Sequence, residues 1–150
     1  MRDDEFFMRL ALREAEKAGE EDEVPVGACI VKDGIVVALG RNRRERTNDV
    51  ISHAEIEAIQ GAQRVLGDWR LEGCTMYVTL EPCLMCAGAI IQARIARLVF
   101  GARDPKGGVA GSVLNVFLSG LFPHRVEIRG GVGAEESGRL LRRYFQRKRA

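Results

Sequence analysis

Four side chains in two short stretches have the types and spacing that metal chemistry uses: His53 and Glu55 in "SHAEIEAI", and Cys83 and Cys86 in "PCLMC". Cysteines three apart share one face of a helix, so two thiolates reach one ion. Pro82 suits a first helical turn, and the positive end of that helix favours thiolate. Zinc prefers sulfur and imidazole nitrogen, which makes His53 the natural third ligand. Three protein ligands leave one tetrahedral position for water, the arrangement of a catalytic site; a fourth would make the site structural. Only Cys29 and Cys74 remain to close it, and each sits in or beside a strand-like run where a free cysteine behaves as a small apolar side chain. The competing reading is two core thiols and a surface histidine, and a lone C-x-x-C also serves redox chemistry. The H-x-E upstream favours zinc.

Glu55 has two readings. Ser52-x-x-Glu55 matches a capping box, in which the glutamate only reaches back to the helix start. Residues two apart also point to different sides of a regular helix, so His53 and Glu55 converge only in a first turn. Beside a three-ligand zinc, the same carboxylate fits a proton shuttle for the activated water.

The surrounding pattern supplies elements to position these groups. "DDEFFMRLALREAEKAG" has apolar residues at helical spacing behind leading acids. "VPVGACIVKDGIVVALGRN" places two β-branched runs around Asp33-Gly34, a strong hairpin signal. Residue 52 opens a predicted helix to about Leu66, and Pro82 opens another to about Arg94. "CTMYVTL" and "ARLVFGA" read as strands, "RVEIRG" as a short last strand and "DPKGGVAGS" as a glycine-rich loop. A short helix is predicted over residues 113–118, and "EESGRLLRRYFQRKRA" as a C-terminal helix. Strands alternating with helices after a hairpin predict a mixed, five-stranded sheet in a three-layer α/β/α sandwich.

The 150 residues suit one domain, residues 1–150. Net charge is only +2, so any nucleic-acid surface must come from local clustering. Two clusters exist. "RNRRER" carries Arg41, Arg43, Arg44 and Arg46 beside Asn42, and residues 136–150 hold six basic residues against one acid, with Tyr144 and Phe145 among them. Helical core spacing also fits Leu140, Leu141, Tyr144 and Phe145, so one aromatic packs while the basic residues face outward. Trp69 reads as core and His124 as a loop residue; Asp104 and Lys106 flank Pro105 in a turn. The start lacks the basic end and long apolar run of a signal peptide, and no run spans a membrane, so the expectation is a soluble cytoplasmic protein without a membrane partner.

"HAE" followed by "PCLMC" resembles the zinc-dependent nucleoside and nucleobase deaminases, with their H-x-E…P-C-x-x-C pattern. "EVPVGA", Asn42, "WRLEGCTMYVTLEPCLMCAGAI", "RLVFGARDPKGG" and the basic C-terminal helix narrow the likeness to the bacterial tRNA-specific adenosine deaminases, over nearly the whole chain. The resemblance implies a cytidine deaminase-like fold, with His53, Cys83 and Cys86 holding one Zn²⁺ per chain and Glu55 as the catalytic acid/base. It implies that Asn42 and Ala54 contact the base, that Asp104 and Lys106 lie along the RNA path, and that Phe145 helps hold the anticodon loop. It further implies a homodimer acting on the tRNA anticodon stem-loop, not on DNA, and turning the wobble adenosine into inosine. Two stretches depart from the family: Val50-Ile51-Ser52 stands in place of Pro-Thr-Ala, and Pro123 in place of Asn. Two other functions share parts of the pattern, a deaminase of free guanine or cytosine and a non-catalytic RNA-binding module with a structural zinc.

Overall fold

Asp33 and Gly34 make the turn expected of them, with φ of 51° and 76°. They join β1 (Gly27–Lys32) to β2 (Ile35–Arg41) as an antiparallel hairpin. In this computed structural model, which describes residues 3–149, α1 (Asp4–Glu20) precedes the hairpin. A single turn, α2 (Arg44–Thr47), lies in the basic loop after it, followed by α3 (Ala54–Leu66), β3 (Cys74–Leu80) and α4 (Leu84–Gln92). The chain ends through β4 (Arg97–Ala102), β5 (Glu127–Arg129) and α5 (Ala134–Arg149).

The five strands form one mixed sheet in the order β2-β1-β3-β4-β5. β1 is antiparallel to both β2 and β3, while β3, β4 and β5 are parallel. β2 therefore runs parallel to β3, and the C-terminal ends of β2, β3 and β4 emerge along one side. In sheets of this kind ligands bind beyond the carboxyl ends of the strands.

Alternation along the strands divides the core into two layers. Ala28, Ile30, Met76, Val78, Leu98 and Phe100 pack against α3 and α4. Cys29, Val31, Tyr77 and Val99 face the layer of α1, with Leu140 of α5 packed against it. The three-layer α/β/α architecture is thus the predicted one. α3 lies close to the sheet because its inner face is Ala54, Ala58 and Ala62, all fully buried. Gly40 on β2 permits that approach: a Cβ there would run into the Ala54 carbonyl and Ala58.

A buried ion pair ties the first helix to the far strands. Arg97 donates to both oxygens of Asp4 at 2.7 Å, and Tyr77 and Arg129 donate to the same carboxylate. These partners hold Asp4 well below the usual carboxylate range.

Two local expectations fail. Residues 113–118 form turns, not a helix: Ala110 and Asn115 pair as an isolated bridge, and Val113, Leu114 and Leu118 are exposed. Trp69 is not core; it is half exposed, with the guanidinium of Arg70 4.5 Å and that of Arg94 5.7 Å from its ring centre. No helix among the described residues is long and apolar enough to cross a membrane.

Candidate active site

α3 and α4 present their N-terminal ends to the same place. His53 is the N-cap of α3 and Cys83 the N-cap of α4, both in extended backbone conformation. Neither side chain caps its own helix, so both are free to turn toward each other. Cys86, in the first turn of α4, is fully buried behind them.

His53 Nδ1 lies 3.8 Å from Cys83 Sγ and 3.5 Å from Cys86 Sγ. A tetrahedral zinc with bonds of about 2.3 Å to sulfur and 2.0–2.1 Å to nitrogen requires S···N separations of about 3.6 Å. The donor set therefore fits that ion in chemistry and in spacing. Among the described residues, this trio alone groups as potential metal ligands. Cys29 and Cys74 do not approach it: both are fully buried, Cys29 on the α1 side of the sheet and Cys74 at the opposite end of β3.

The electrostatics suit a cation. The hydrogen bond from Cys86 holds the Cys83 thiol down to about 4, and His53 adds to the effect. Cys86 is pushed up by the same contact and by burial. His53 is raised, chiefly by its contact with Cys83.

Ser52 does not open α3, so the capping box does not form; His53 takes the cap position and Ser52 lies one residue outside the helix. That releases Glu55 from the role that competed for it. Its carboxyl is 4% exposed and is pushed up to about 7, mainly by burial, next to Cys83, His53 and Cys86. A carboxyl held near neutrality accepts and returns a proton at the pH of the cell.

A cavity of about 220 Å³ opens on this group, lined by Asn42, His53, Ala54, Glu55 and Cys83, with Arg44, Glu81 and Asp104 among the other walls. Asn42 follows β2, Cys83 follows β3 and Asp104 follows β4, so the parallel strand ends supply three sides of it. Both ends of the Asn42 amide already have protein partners: Nδ2 donates to the Val24 carbonyl at 3.3 Å and Oδ1 accepts from the Arg44 N–H at 3.2 Å. Each end retains capacity for one further bond.

The structure does not bring all the candidate residues into the cavity. Lys106 is exposed on the turn beyond Asp104, whose Oδ1 accepts from its N–H at 3.1 Å. Phe145 is 43% exposed on α5, outside the cavity, edge-on to the buried Tyr144. The basic loop is less open than its composition suggests. Arg41 and Arg46 pair with Glu21, and Arg43 pairs with Glu57. Arg44 lines the cavity, with the exposed Glu45 3.8 Å away.

Two buried glutamates beside the site stand outside the sequence expectations. Glu23 accepts from the Glu45 and Arg46 N–H groups at 2.9 and 2.7 Å, fixing the α2 turn beside Asn42. Glu81 sits between β3 and Pro82 and forms part of the cavity wall. Their signal was faint: each is an acid directly against an apolar run, "EVPV" and "VTLEP".

A family model for the MafB19-like deaminases matches residues 2–148. The tRNA-specific adenosine deaminase of Bacillus subtilis is 47% identical over 99% of this chain and 92% of its own length. That of Agrobacterium fabrum is 50% identical over 95% of this chain and 94% of its own. A solved tRNA:A34 deaminase structure, studied for A-to-I editing at the wobble position of transfer RNA, aligns with TM-score 0.87 and 50% identity, covering 91% of this chain and 99% of that one. The guanine deaminase of Nitrosomonas europaea is more distant, with TM-score 0.82 and 26% identity over 93% of this chain and 83% of its own.

Proposed function

This chain belongs to the MafB19-like deaminase family, and from that membership we propose that it converts adenosine to inosine at the wobble position of tRNA anticodon loops. The observation that carries the reading is the convergence of His53, Cys83, Cys86 and the buried Glu55 on one cavity. It stands in a chain 47–50% identical to tRNA-specific adenosine deaminases.

In this reading the chain acts as a single deaminase domain. His53 Nδ1 and the sulfurs of Cys83 and Cys86 hold one Zn²⁺. The ion's contribution is to acidify water, so that a nucleophile is available at neutral pH.

The remaining work falls to the chain. Glu55 takes a proton from the attacking water and gives one to the purine ring nitrogen beside C6. It then moves a second proton to the departing amino group, so that adenosine and water become inosine and ammonia. Burial of its carboxyl matches its proton affinity to each transfer. Asn42 and the Ala54 backbone orient the base through the hydrogen-bonding capacity left on the cavity wall.

A base must leave its stack to enter such a cavity, and an anticodon loop offers it unpaired. Asp104 and Lys106 lie on the same loop at the cavity edge and contact the RNA flanking the adenosine. Phe145 contacts the loop farther out, on α5. A homodimer in the cytoplasm completes the proposal, the second chain supplying the rest of the groove.

The test offers metal-loaded protein three substrates: an anticodon stem-loop with adenosine at the wobble position, free adenosine, and free guanine. Inosine in the stem-loop with no turnover of the free compounds is expected. Turnover of guanine with an untouched stem-loop would overturn the reading.

A further inference from the structure

Glu81 is 2% exposed, and among the described residues its carboxylate is held by backbone N–H groups and one hydroxyl. Those hydrogen bonds of the carboxylate all come from one loop. Oε1 accepts from the Asp104 N–H at 3.0 Å, at the end of β4. Oε2 accepts from the N–H groups of Ala110 at 2.8 Å and Ser112 at 3.1 Å, on the loop's return. The Ser112 hydroxyl also donates to Oε1. One carboxylate thus gathers both ends of residues 104–112.

The loop is shaped to receive it. A Cβ at Gly108 would collide with the Glu81 carboxylate, so only glycine lets the backbone pass there. The Gly108 N–H donates to the Asp104 carbonyl at 2.9 Å, and the Val109 N–H to the Pro82 carbonyl at 3.0 Å. Glu81 and Asp104 both line the cavity.

We propose that Glu81 is a positioning residue for substrate: its carboxylate is the template on which residues 104–112 set, and it thereby fixes Asp104 in the cavity wall. The inference rests on the reading that this cavity takes the wobble adenosine. A group that acts on the substrate wall, and not on the proton transfers, governs how well RNA is held. Its loss raises KM and spares kcat.

The experiment compares Glu81→Gln, Gly108→Ala and the double variant, each full-length and metal-loaded, on the wobble-adenosine stem-loop. Glutamine keeps the volume but sets an NH₂ group against N–H donors, leaving buried donors unsatisfied. Glu81→Gln is expected to keep one metal per chain, keep kcat within about threefold, and raise KM about tenfold, the loss of one or two buried hydrogen bonds. Amide hydrogen exchange is expected to quicken in residues 104–112 and stay unchanged in α4. Gly108→Ala breaks the same contact from the other side, so it is expected to raise KM alike. The double variant is then no worse than the poorer single variant, because both act on one interaction.

Unchanged KM, unchanged exchange in the loop, or a loss of kcat that tracks a loss of metal would overturn the proposal. If Glu81→Gln does not fold, Ser112→Ala removes a single donor. A raised KM at full metal content then supports the proposal, and an unaltered KM overturns it. A wild-type protein that leaves the stem-loop unedited marks the failure of the functional reading instead; the exchange of residues 104–112 still decides the role of Glu81.

Discussion

His53 and Cys83 hold the same station on two different helices. Each is the residue just before the first turn, and their side chains meet with Nδ1 3.8 Å from Sγ. Two helix N-termini therefore converge on one point, and the groups best able to take a cation stand at both. Cys86 completes the trio from within α4.

Metal content follows from that arrangement. Cys86→Ala removes one of three donors and is expected to lose the stoichiometric metal. The double substitution Cys29→Ala with Cys74→Ala is expected to keep it, because neither thiol approaches the site. Elemental analysis of the purified variants measures both, and metal loss from the double variant would contradict an open, three-ligand site.

Glu55→Gln separates proton transfer from folding. The carboxyl bonds the Glu55 backbone N–H in the first turn of α3, and the amide oxygen of glutamine accepts the same bond. Metal content and fold are expected to persist, while inosine formation falls at least about 100-fold, a usual share for acid–base catalysis. Single-turnover editing of the stem-loop measures the loss, and near-normal turnover would contradict the assigned role.

Asp4 gives the acid limb of stability its sign. Its carboxyl is held below the ordinary value, so its contribution is fully present above the unfolded-state pKa of about 3.9 and is lost as pH falls from there toward the depressed folded value. Asp4→Asn takes from the buried Arg97 its two-oxygen charge partner, leaving it the half-exposed Glu127 at 2.8 Å, and is expected to cost about 3 kcal/mol at pH 7. Urea unfolding at pH 7, 5 and 3 is expected to show a constant gap between variant and wild type at the first two and a smaller one at the third.

Tyr144 and Phe145 are neighbours with opposite surroundings, 8% and 43% exposed. Tyr144→Ala is expected to lower Tm, since its ring is packed and its hydroxyl donates to the Asp22 carbonyl. Phe145→Ala is expected to leave Tm nearly unchanged and to weaken stem-loop binding by about 1–3 kcal/mol, the worth of one base–aromatic stack. Thermal unfolding and RNA titration on both variants distinguish the two roles.

The grouping of His53, Cys83 and Cys86 and the scaffold were legible from short sequence patterns. Asp33-Gly34 dictated its turn, and the run "CTMYVTL" is β3 from end to end. Errors arose where a distant contact decides. Ser52 had the chemistry of a cap, but packing of Ala54 and Ala58 over Gly40 sets the start of α3 one residue beyond His53. Val113, Leu114 and Leu118 suggested a helix, yet the backbone there pairs across a bridge and leaves them outside. Glu23 and Glu81 carry no local mark of a role because their partners are backbone N–H groups 22 to 31 residues away.

The most direct measurement is to locate inosine in an anticodon stem-loop after incubation with protein carrying one metal per chain, by mass spectrometry of nuclease fragments. One inosine, at the wobble position and absent from the Glu55→Gln reaction, is the expected result. A fully loaded protein that leaves the wobble adenosine unchanged would contradict the account.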